Sequence, residues 1–434
     1  MMNAAANIIQ DKLGAHPTAA SNQDTQNTEP GEKMLACVWL GKEQLEMQQV
    51  GVPALTDPED AIIKITGTTV CGSDLHLYHG EIMQLKKGDI LGHEMMGIVD
   101  KVGEGVTHVK PGDRVVAAFN VACGRCRYCQ KKLFTSCEAT NDSTLQEKLY
   151  GQRTGGILGY SHFVGGFAGG QAEYGRVPFA NTNLLKVPEK LPDEKALFLS
   201  DIVPTSYHAV YEAGVQEGDT VGIWGLGPIG LLAVQWCRKV FKAKRIIAID
   251  DTEARLHLAK SYWDAETIDY SKEKDVSAKI LELVPEGLDR AIDCAGFRFT
   301  KSLLHKFEHA VGLETDSPEV LNEALRATRK FGTISIIADY AAYTNHFLVG
   351  ALMEKGVRMI GCGQAPIQRY WETCLKHIDN GDFDPTAILT NRFPLEQTPE
   401  VYKRFDQREG GVIKVFIATK FSNEESPGSP ALEV

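Results

Sequence analysis

The sequence predicts an α/β protein in two parts, a mostly β first half followed by a doubly wound parallel sheet. Three observations carry that expectation. Between Ala36 and about Val203, short β-type runs such as "AIIKITGTTV" and "GDRVVAAF" are punctuated by Gly, Pro and Asp. Between about Thr220 and Gly361, strand-like runs ("TVGIWG", "RIIAID", "RAIDCAG", "GTISIIA") alternate with helical ones ("IGLLAVQWCRKVF", "SPEVLNEALRATRK"), the grammar of parallel βαβ units. A glycine-rich turn joins the first of those strands to the first of those helices.

Taken in chain order, residues 1–33 are rich in Ala, Asn, Gln and Thr and poor in large apolar side chains. That composition predicts a disordered tail with at most a frayed helical turn at Ile8 and Ile9. Residues 34–203 form the β-rich half and 204–362 the parallel-sheet domain. Residues 363–421 return to the first half through a helix, "IQRYWETCLKHIDNG", and a last strand, "GVIKVFIAT", and 422–434 form a frayed tail.

Composition narrows the class. The 434 residues are enough for a large core without disulfide staples. Cys37, Cys71, Cys237, Cys294, Cys362 and Cys374 are scattered, often among apolar neighbours, as in reduced intracellular proteins. The net charge of −11, with no basic stripe, argues against nucleic acid and anionic membrane surfaces as partners. No run approaches the length of a membrane span, no secretory leader is visible, and residues 1–33 contain no arginine. A cytoplasmic protein is expected.

The glycine-rich turn reads Gly225-x-Gly227-x-x-Gly230, with Pro228 and Ile229 opening the helix. An apolar strand before it and a helix after it are the context in which this motif binds a dinucleotide, so the second domain is expected to be a Rossmann fold. The glycines permit a tight turn and close approach of a pyrophosphate to the helix N-terminus, where free N–H groups point outward. The next strand ends at Asp250, positioned to accept hydrogen bonds from an adenosine ribose. An acid there repels a 2′-phosphate, so NAD is expected over NADP. Arg255, five residues on, complicates that preference, and reads either as a cofactor contact or as a solvated helix residue.

Cys123, Cys126, Cys129 and Cys137 crowd into "CGRCRYCQKKLFTSC". Disulfides do not suit the expected compartment. An iron–sulfur run of the bacterial type would continue x3-Cys-Pro, whereas here the last gap is seven residues and Glu138 follows. Four thiolates suit a closed, tetrahedral, structural zinc site.

A second set of ligand-type residues is dispersed. "GTTVCGSDLHLYHG" places Cys71 beside Ser73, Asp74 and His76, and "ILGHEMMG" places His93 beside Glu94. Singly, Cys71 reads as a small core residue and His93 as a satisfied histidine. Together with the glycine turn and the four-cysteine stretch, the pattern resembles the zinc-dependent medium-chain alcohol dehydrogenases, whose catalytic half is GroES-like, over about residues 34–420. The resemblance implies that Cys71 and His93 ligate a catalytic zinc and that Asp74 orients the histidine. It implies further that Ser73 bonds the substrate oxygen, that His76 ends a proton relay, and that Glu94 can approach the metal from behind. Many relatives place a cysteine as third ligand. Here the matching stretch "FLSDIVPTSYHA" offers Asp201 instead, which, with "GGQAEY", resembles the glutathione-independent formaldehyde dehydrogenase and dismutase branch. Asp201 also reads as the N-cap of the helix after it. On the same resemblance Thr205 and His208 face the nicotinamide. The glycine-rich, aromatic segment 149–170 reads as a loop over the cofactor or as a connector.

The resemblance therefore implies two zinc ions per chain, NAD, a small alcohol or aldehyde as substrate, and a homodimer or homotetramer. Three alternatives stay open on sequence: an alcohol dehydrogenase or reductase for a larger secondary-metabolism substrate, a dismutase that keeps its cofactor, and a zinc-stabilised nucleotide sensor.

Overall fold

The computed structural model describes residues 2–20, 28–295, 316–340 and 343–433. The chain divides into two compact units: Met1–Asp201 with Pro366–Asp379 and Asp384–Val434, and Ile202–Ala365 with Asn380–Phe383. Among the described residues, no helix is long and apolar enough to cross a membrane.

The first unit is built on a seven-stranded sheet. In spatial order it runs Leu389–Pro394, Lys414–Ala418, Ala61–Thr68, Met95–Val102, Arg114–Ala117 and Leu184–Lys186, with Tyr174–Val177 also paired to Ala61–Thr68. The apolar run "AIIKITGT" becomes the central strand because every residue except Lys64 is buried. Ile63, Ile65, Met95, Val115 and Val177 share one core cluster with Cys123, Cys129 and Cys137, so the four-cysteine lobe is packed onto the sheet. Each such aliphatic side chain contributes about 1.5–3 kcal/mol by leaving water. A separate hairpin pairs Thr28–Gly41 with Gln44–Pro53.

The second unit holds a six-stranded parallel sheet in the order Glu266–Asp269, Arg245–Asp250, Thr220–Trp224, Leu288–Asp293, Thr328–Ile336, Arg358–Gly361. In sequence terms that is 3-2-1-4-5-6, the doubly wound order whose switch point lies beside the first strand. The expected helix "SPEVLNEALRATRK" stops at Ala327. From Thr328, which is extended and β-branched, the chain enters the strand paired with Leu288–Asp293. The C-terminal helical stretch likewise splits into a 3-10 turn, Ile367–Arg369, and a helix, Trp371–Asp379.

Both termini depart from the expected tails. Met2–Leu13 is a helix, and the first strand already starts at Thr28; residues 21–27 of the expected tail lie outside the described residues. The run "AAA" has high helix propensity, and docking is made through amide side chains that a count of apolar residues overlooks. At the other end, the Ser426 hydroxyl donates to Glu194 Oε2 at 2.6 Å, and the Glu433 N–H donates to Arg392 O at 2.8 Å. The segment expected to fray therefore lies on the sheet's outer strand.

Candidate metal centres and nucleotide turn

Cys71, His93, Glu94 and Asp201 converge so that one ligand atom from each lies within 4.8 Å of the others. The central strand delivers Cys71 to the N-cap of the helix Gly72–Tyr78. Asp74, in that helix's first turn, accepts the Cys71 N–H through Oδ2 at 2.8 Å, and its Oδ1 lies 3.0 Å from His93 Nδ1. One carboxylate thus caps the helix and orients the imidazole, turning Nε2 toward the cluster. Nε2 stands 3.3 Å from Asp201 Oδ2, 3.5 Å from Ser73 Oγ and 4.0 Å from Glu94 Oε1. His93 and Glu94 follow Gly92, whose φ of +91° and contact with Gln171, 2.5 Å from where a Cβ would sit, admit only glycine. Asp201 ends the 3-10 turn Leu197–Ser200.

The electrostatics describe a place that wants positive charge. Burial disfavours the His93 imidazolium. The Asp74 charge, then hydrogen bonds with Asp201, Asp74 and Cys71, outweigh it and lift the pKa well above the usual value. Burial pushes the Glu94 carboxyl up to about 7 against the pull of Lys414, and the Asp201 charge adds to the rise. Glu94 Oε2 is buried without a hydrogen-bond partner. A thiol, an imidazole and a carboxylate around one point, with a further carboxylate oxygen unpaired behind them, fit a divalent cation of the zinc class.

Four neighbours were not singled out in the sequence. Lys414 is fully buried, with Nζ 2.5 Å from Glu94 Oε1 and 3.3 Å from Val70 O. Phe119 and Tyr160 meet the His93 ring edge-on at centroid distances of 6.1 and 6.2 Å. Gln171, in the "GGQAEY" stretch, donates to Thr69 O at 3.1 Å and accepts from the Tyr402 hydroxyl at 3.0 Å, bracing the approach to Cys71. His76, one turn beyond Ser73 on the same helix, has Nδ1 2.9 Å from Glu81 Oε2.

Because the Lys414–Glu94 pair is dry, Lys414→Met should cost about 3–5 kcal/mol, the range for orphaning one partner of a buried ion pair. Lys414→Met combined with Glu94→Gln should recover much of that loss. Urea midpoints of the three proteins measure it; a single variant as stable as the parent would show that the pair carries no such load.

The second cluster is the four-cysteine lobe. Cys123, Cys126, Cys129 and Cys137 also place their sulfurs within 4.8 Å of one another, and all four are free thiols. The Cys126 N–H donates to Cys123 Sγ (3.4 Å) and the Cys123 N–H to Cys137 Sγ (3.3 Å), and Cys126 Sγ lies 3.5 Å from Cys129 Sγ. Hydrogen bonds from Cys129 and Cys137 hold the Cys123 thiol far below its usual pKa, while the bond to Cys123 drives Cys129 far up. Four sulfurs this close share protons; a tetrahedral cation would replace them. Two short 3-10 turns, Cys129–Lys131 and Phe134–Ser136, shape the lobe.

In the second unit the strand Thr220–Trp224 leads through Gly225 (φ +81°) to Gly227, the N-cap of the helix Pro228–Lys239. Pro228 occupies the helix's opening position, with Ile229 next. At Gly230 a Cβ would fall 1.8 Å from Gly225 O, so helix and turn can pack only with glycine there. Asp250 ends the adjacent strand, and its carboxylate makes backbone contacts that were not expected. Oδ2 accepts the Leu226 N–H at 2.7 Å, and Oδ1 accepts those of Asp251 (2.9 Å) and Thr252 (2.8 Å). The acid is thereby tied into the glycine turn itself. Arg255 reaches to 3.9 Å from Asp250 Oδ2. Beside them a cleft is lined by Trp224, Gly225, Ile249, Asp250, Tyr270 and Glu323. Thr205 and His208 are buried on the helix Ile202–Glu212 of the same unit.

Comparison with known proteins identifies the family. Residues 57–189 match the alcohol dehydrogenase GroES-like domain family, and residues 228–312 match the zinc-binding dehydrogenase family. A zinc-type alcohol dehydrogenase-like protein of Schizosaccharomyces pombe is 42% identical over 417 residues, covering 96% of this chain and 98% of its own length. A glutathione-independent formaldehyde dehydrogenase of Pseudomonas aeruginosa is 33% identical over 88% of this chain and 96% of its own. The solved alcohol dehydrogenase of a Thermus species superposes with a TM-score of 0.74 at 32% identity, over 89% of this chain and all of that one. The chain belongs to the zinc-dependent medium-chain alcohol dehydrogenase family, on the side of it that includes the glutathione-independent formaldehyde dehydrogenases.

Proposed function

We propose that the chain transfers a hydride between NAD and a small alcohol or aldehyde, with a catalytic zinc held by Cys71, His93 and Asp201 and a structural zinc held by Cys123, Cys126, Cys129 and Cys137. The observation that carries the reading is the convergence of Cys71, His93 and Asp201 on one point, with Asp74 braced behind the histidine. Zinc at that point supplies Lewis acidity toward the substrate oxygen. NAD supplies the hydride acceptor.

The chain's own residues do the rest. Asp74 keeps a proton on His93 Nδ1 and so leaves Nε2 as a ligand atom. Ser73 Oγ, beside Nε2, accepts the proton of an alcohol entering the site and passes its own toward His76, one turn on. From His76 the proton leaves toward Glu81 and solvent. Phe119 and Tyr160 pack edge-on against the histidine and shield that side of it from water. At the other ligand, Gly225, Gly227 and Gly230 let the pyrophosphate approach the N–H groups that open the helix at Pro228 and Ile229. Asp250, with Glu323 lining the same cleft, accepts the ribose hydroxyls and repels a 2′-phosphate. Arg255 offsets part of that repulsion.

A screen of short alcohols and aldehydes with NAD(H) and NADP(H), with and without glutathione, tests the reading. Turnover is expected with NAD(H) and without any thiol. Activity that appears only after glutathione is added would remove the chain from the glutathione-independent side. Equal turnover with NADP(H) would remove Asp250 from its assigned role.

A further inference from the structure

Asn3, Asn7 and Gln10 are spaced four and three residues apart, which puts their amides on one face of the helix Met2–Leu13. That face is fully committed. Asn3 Nδ2 donates to Leu85 O at 2.8 Å and its Oδ1 accepts the Leu85 N–H at 2.9 Å; Asn7 Nδ2 reaches the same carbonyl at 3.4 Å. Gln10 Oε1 accepts the Leu145 N–H at 3.0 Å. Leu145 lies in the first turn of the helix Thr144–Tyr150, where N–H groups have no partner within their own helix. Past the helix, the Thr144 hydroxyl donates to Gly14 O at 2.6 Å, the His16 N–H to Asp142 O at 3.0 Å and the Ala19 N–H to Ala139 O at 2.8 Å. His16 Nε2 lies 2.8 Å from Glu147 Oε2. Ala20 is buried in the core cluster that contains Cys129 and Cys137.

What the segment covers is a buried polar network. Gln84, Asn141, Ser143 and Gln146 are each at most 2% exposed. The Ser143 hydroxyl bonds Gln84 Oε1 at 3.4 Å, and Asn141 Nδ2 donates to Gln146 Oε1 at 3.0 Å and to Phe163 O at 3.4 Å. The network continues into the glycine-rich segment through the His162 N–H, 3.1 Å from Gln84 O. Two residues earlier stands Tyr160, edge-on to His93. Such a network transmits a displacement at one end, because each member is held by its partners.

We propose that residues 2–20 are a positioning strap: through Leu85 and the 139–147 segment they hold Tyr160 against His93, and so limit the length of alcohol or aldehyde admitted beside Ser73. The substrate clause rests on the zinc-site reading above; the positioning clause does not.

The test uses the full-length chain carrying Asn3→Ala, Gln10→Ala and His16→Ala together, and separately Tyr160→Ala. In the triple variant, amide hydrogen exchange over residues 139–165 should quicken by about tenfold or more, with the sheet strands unchanged and zinc content retained. KM for the shortest alcohols should rise by about fivefold with kcat within about twofold, and preference should shift toward longer chains. Tyr160→Ala should reproduce the kinetic change without the exchange change around residues 139–147. Unaltered exchange over 139–165 would overturn the strap. So would exchange that quickens throughout the first unit together with loss of zinc, which marks a general stabiliser. If the parent turns over neither alcohols nor aldehydes yet the triple variant shows the localised exchange change, the positioning clause stands and the zinc-site reading falls.

Discussion

Asp201→Ala is expected to abolish hydride transfer while the four-cysteine zinc stays bound. The carboxylate lies 3.3 Å from His93 Nε2 and within 4.8 Å of the ligand atoms of Cys71 and Glu94, so its loss removes one of three candidate ligands. Changes to groups that merely support a metal ligand typically cost 10–100-fold, so losing a ligand itself should exceed about 100-fold in kcat. That corresponds to about 2.7 kcal/mol or more of transition-state stabilisation. The competing role, capping the helix that starts at Ile202, predicts a different pattern: about 1 kcal/mol of stability lost and activity retained. The two lobes separate the outcomes, because the four-cysteine cluster shares no ligand with this one. Zinc should therefore fall from two per chain to one, not to none. Asp201→Cys offers a rescue, since a thiolate is an equally good zinc ligand and should restore the second ion. An Asp201→Ala protein with two zincs and full turnover would leave only the cap.

How far this centre could be read from sequence depends on how local each signal is. The glycine turn and the four-cysteine spacing lie within a few residues of themselves, and their chemistry follows from spacing alone. Cys71 and His93 sit in short motifs but gain meaning only from each other, and Asp201 only from likeness to a family. Lys414 was invisible for a different reason. Its partner Glu94 is 320 positions away, and in "GVIKVFIAT" a lysine reads as the solvent-facing member of an alternating strand. Tertiary pairing overrode the pattern: the strand Lys414–Ala418 is buried along its whole length. The N-terminal segment was misread because composition counts apolar area, whereas Asn3, Asn7 and Gln10 dock by hydrogen bonds to backbone groups. Asp250 was placed correctly at a strand end, yet nothing local announced that its carboxylate would accept three backbone N–H groups and brace the turn beside it.

Cys129→Ser should lower thermal stability and zinc content together, and should do so without removing the zinc at Cys71, His93 and Asp201. The lobe has little regular secondary structure of its own. Its two 3-10 turns span three residues each, and between them Lys132 takes a left-handed φ of +60° that a lysine adopts only under constraint. Cys129 is buried and contributes one of the four sulfurs, so a serine there leaves three thiolates and a hydroxyl that binds zinc poorly. Structural zinc in small folds is worth on the order of 10 kcal/mol at neutral pH, comparable with the whole stability of a typical domain. Losing even a third of that is several kcal/mol, enough to loosen the lobe. The damage should spread, because Cys123, Cys129 and Cys137 belong to the same core cluster as Ile63, Ile65 and Val115 of the central sheet. Metal analysis and a melting curve on one purified protein decide the matter. One zinc per chain with a lowered melting temperature is the expected pair of results. Two zincs with an unchanged melt would mean that the four sulfurs do not hold the ion, and iron with a visible charge-transfer band would mean that the cluster binds a different cofactor altogether.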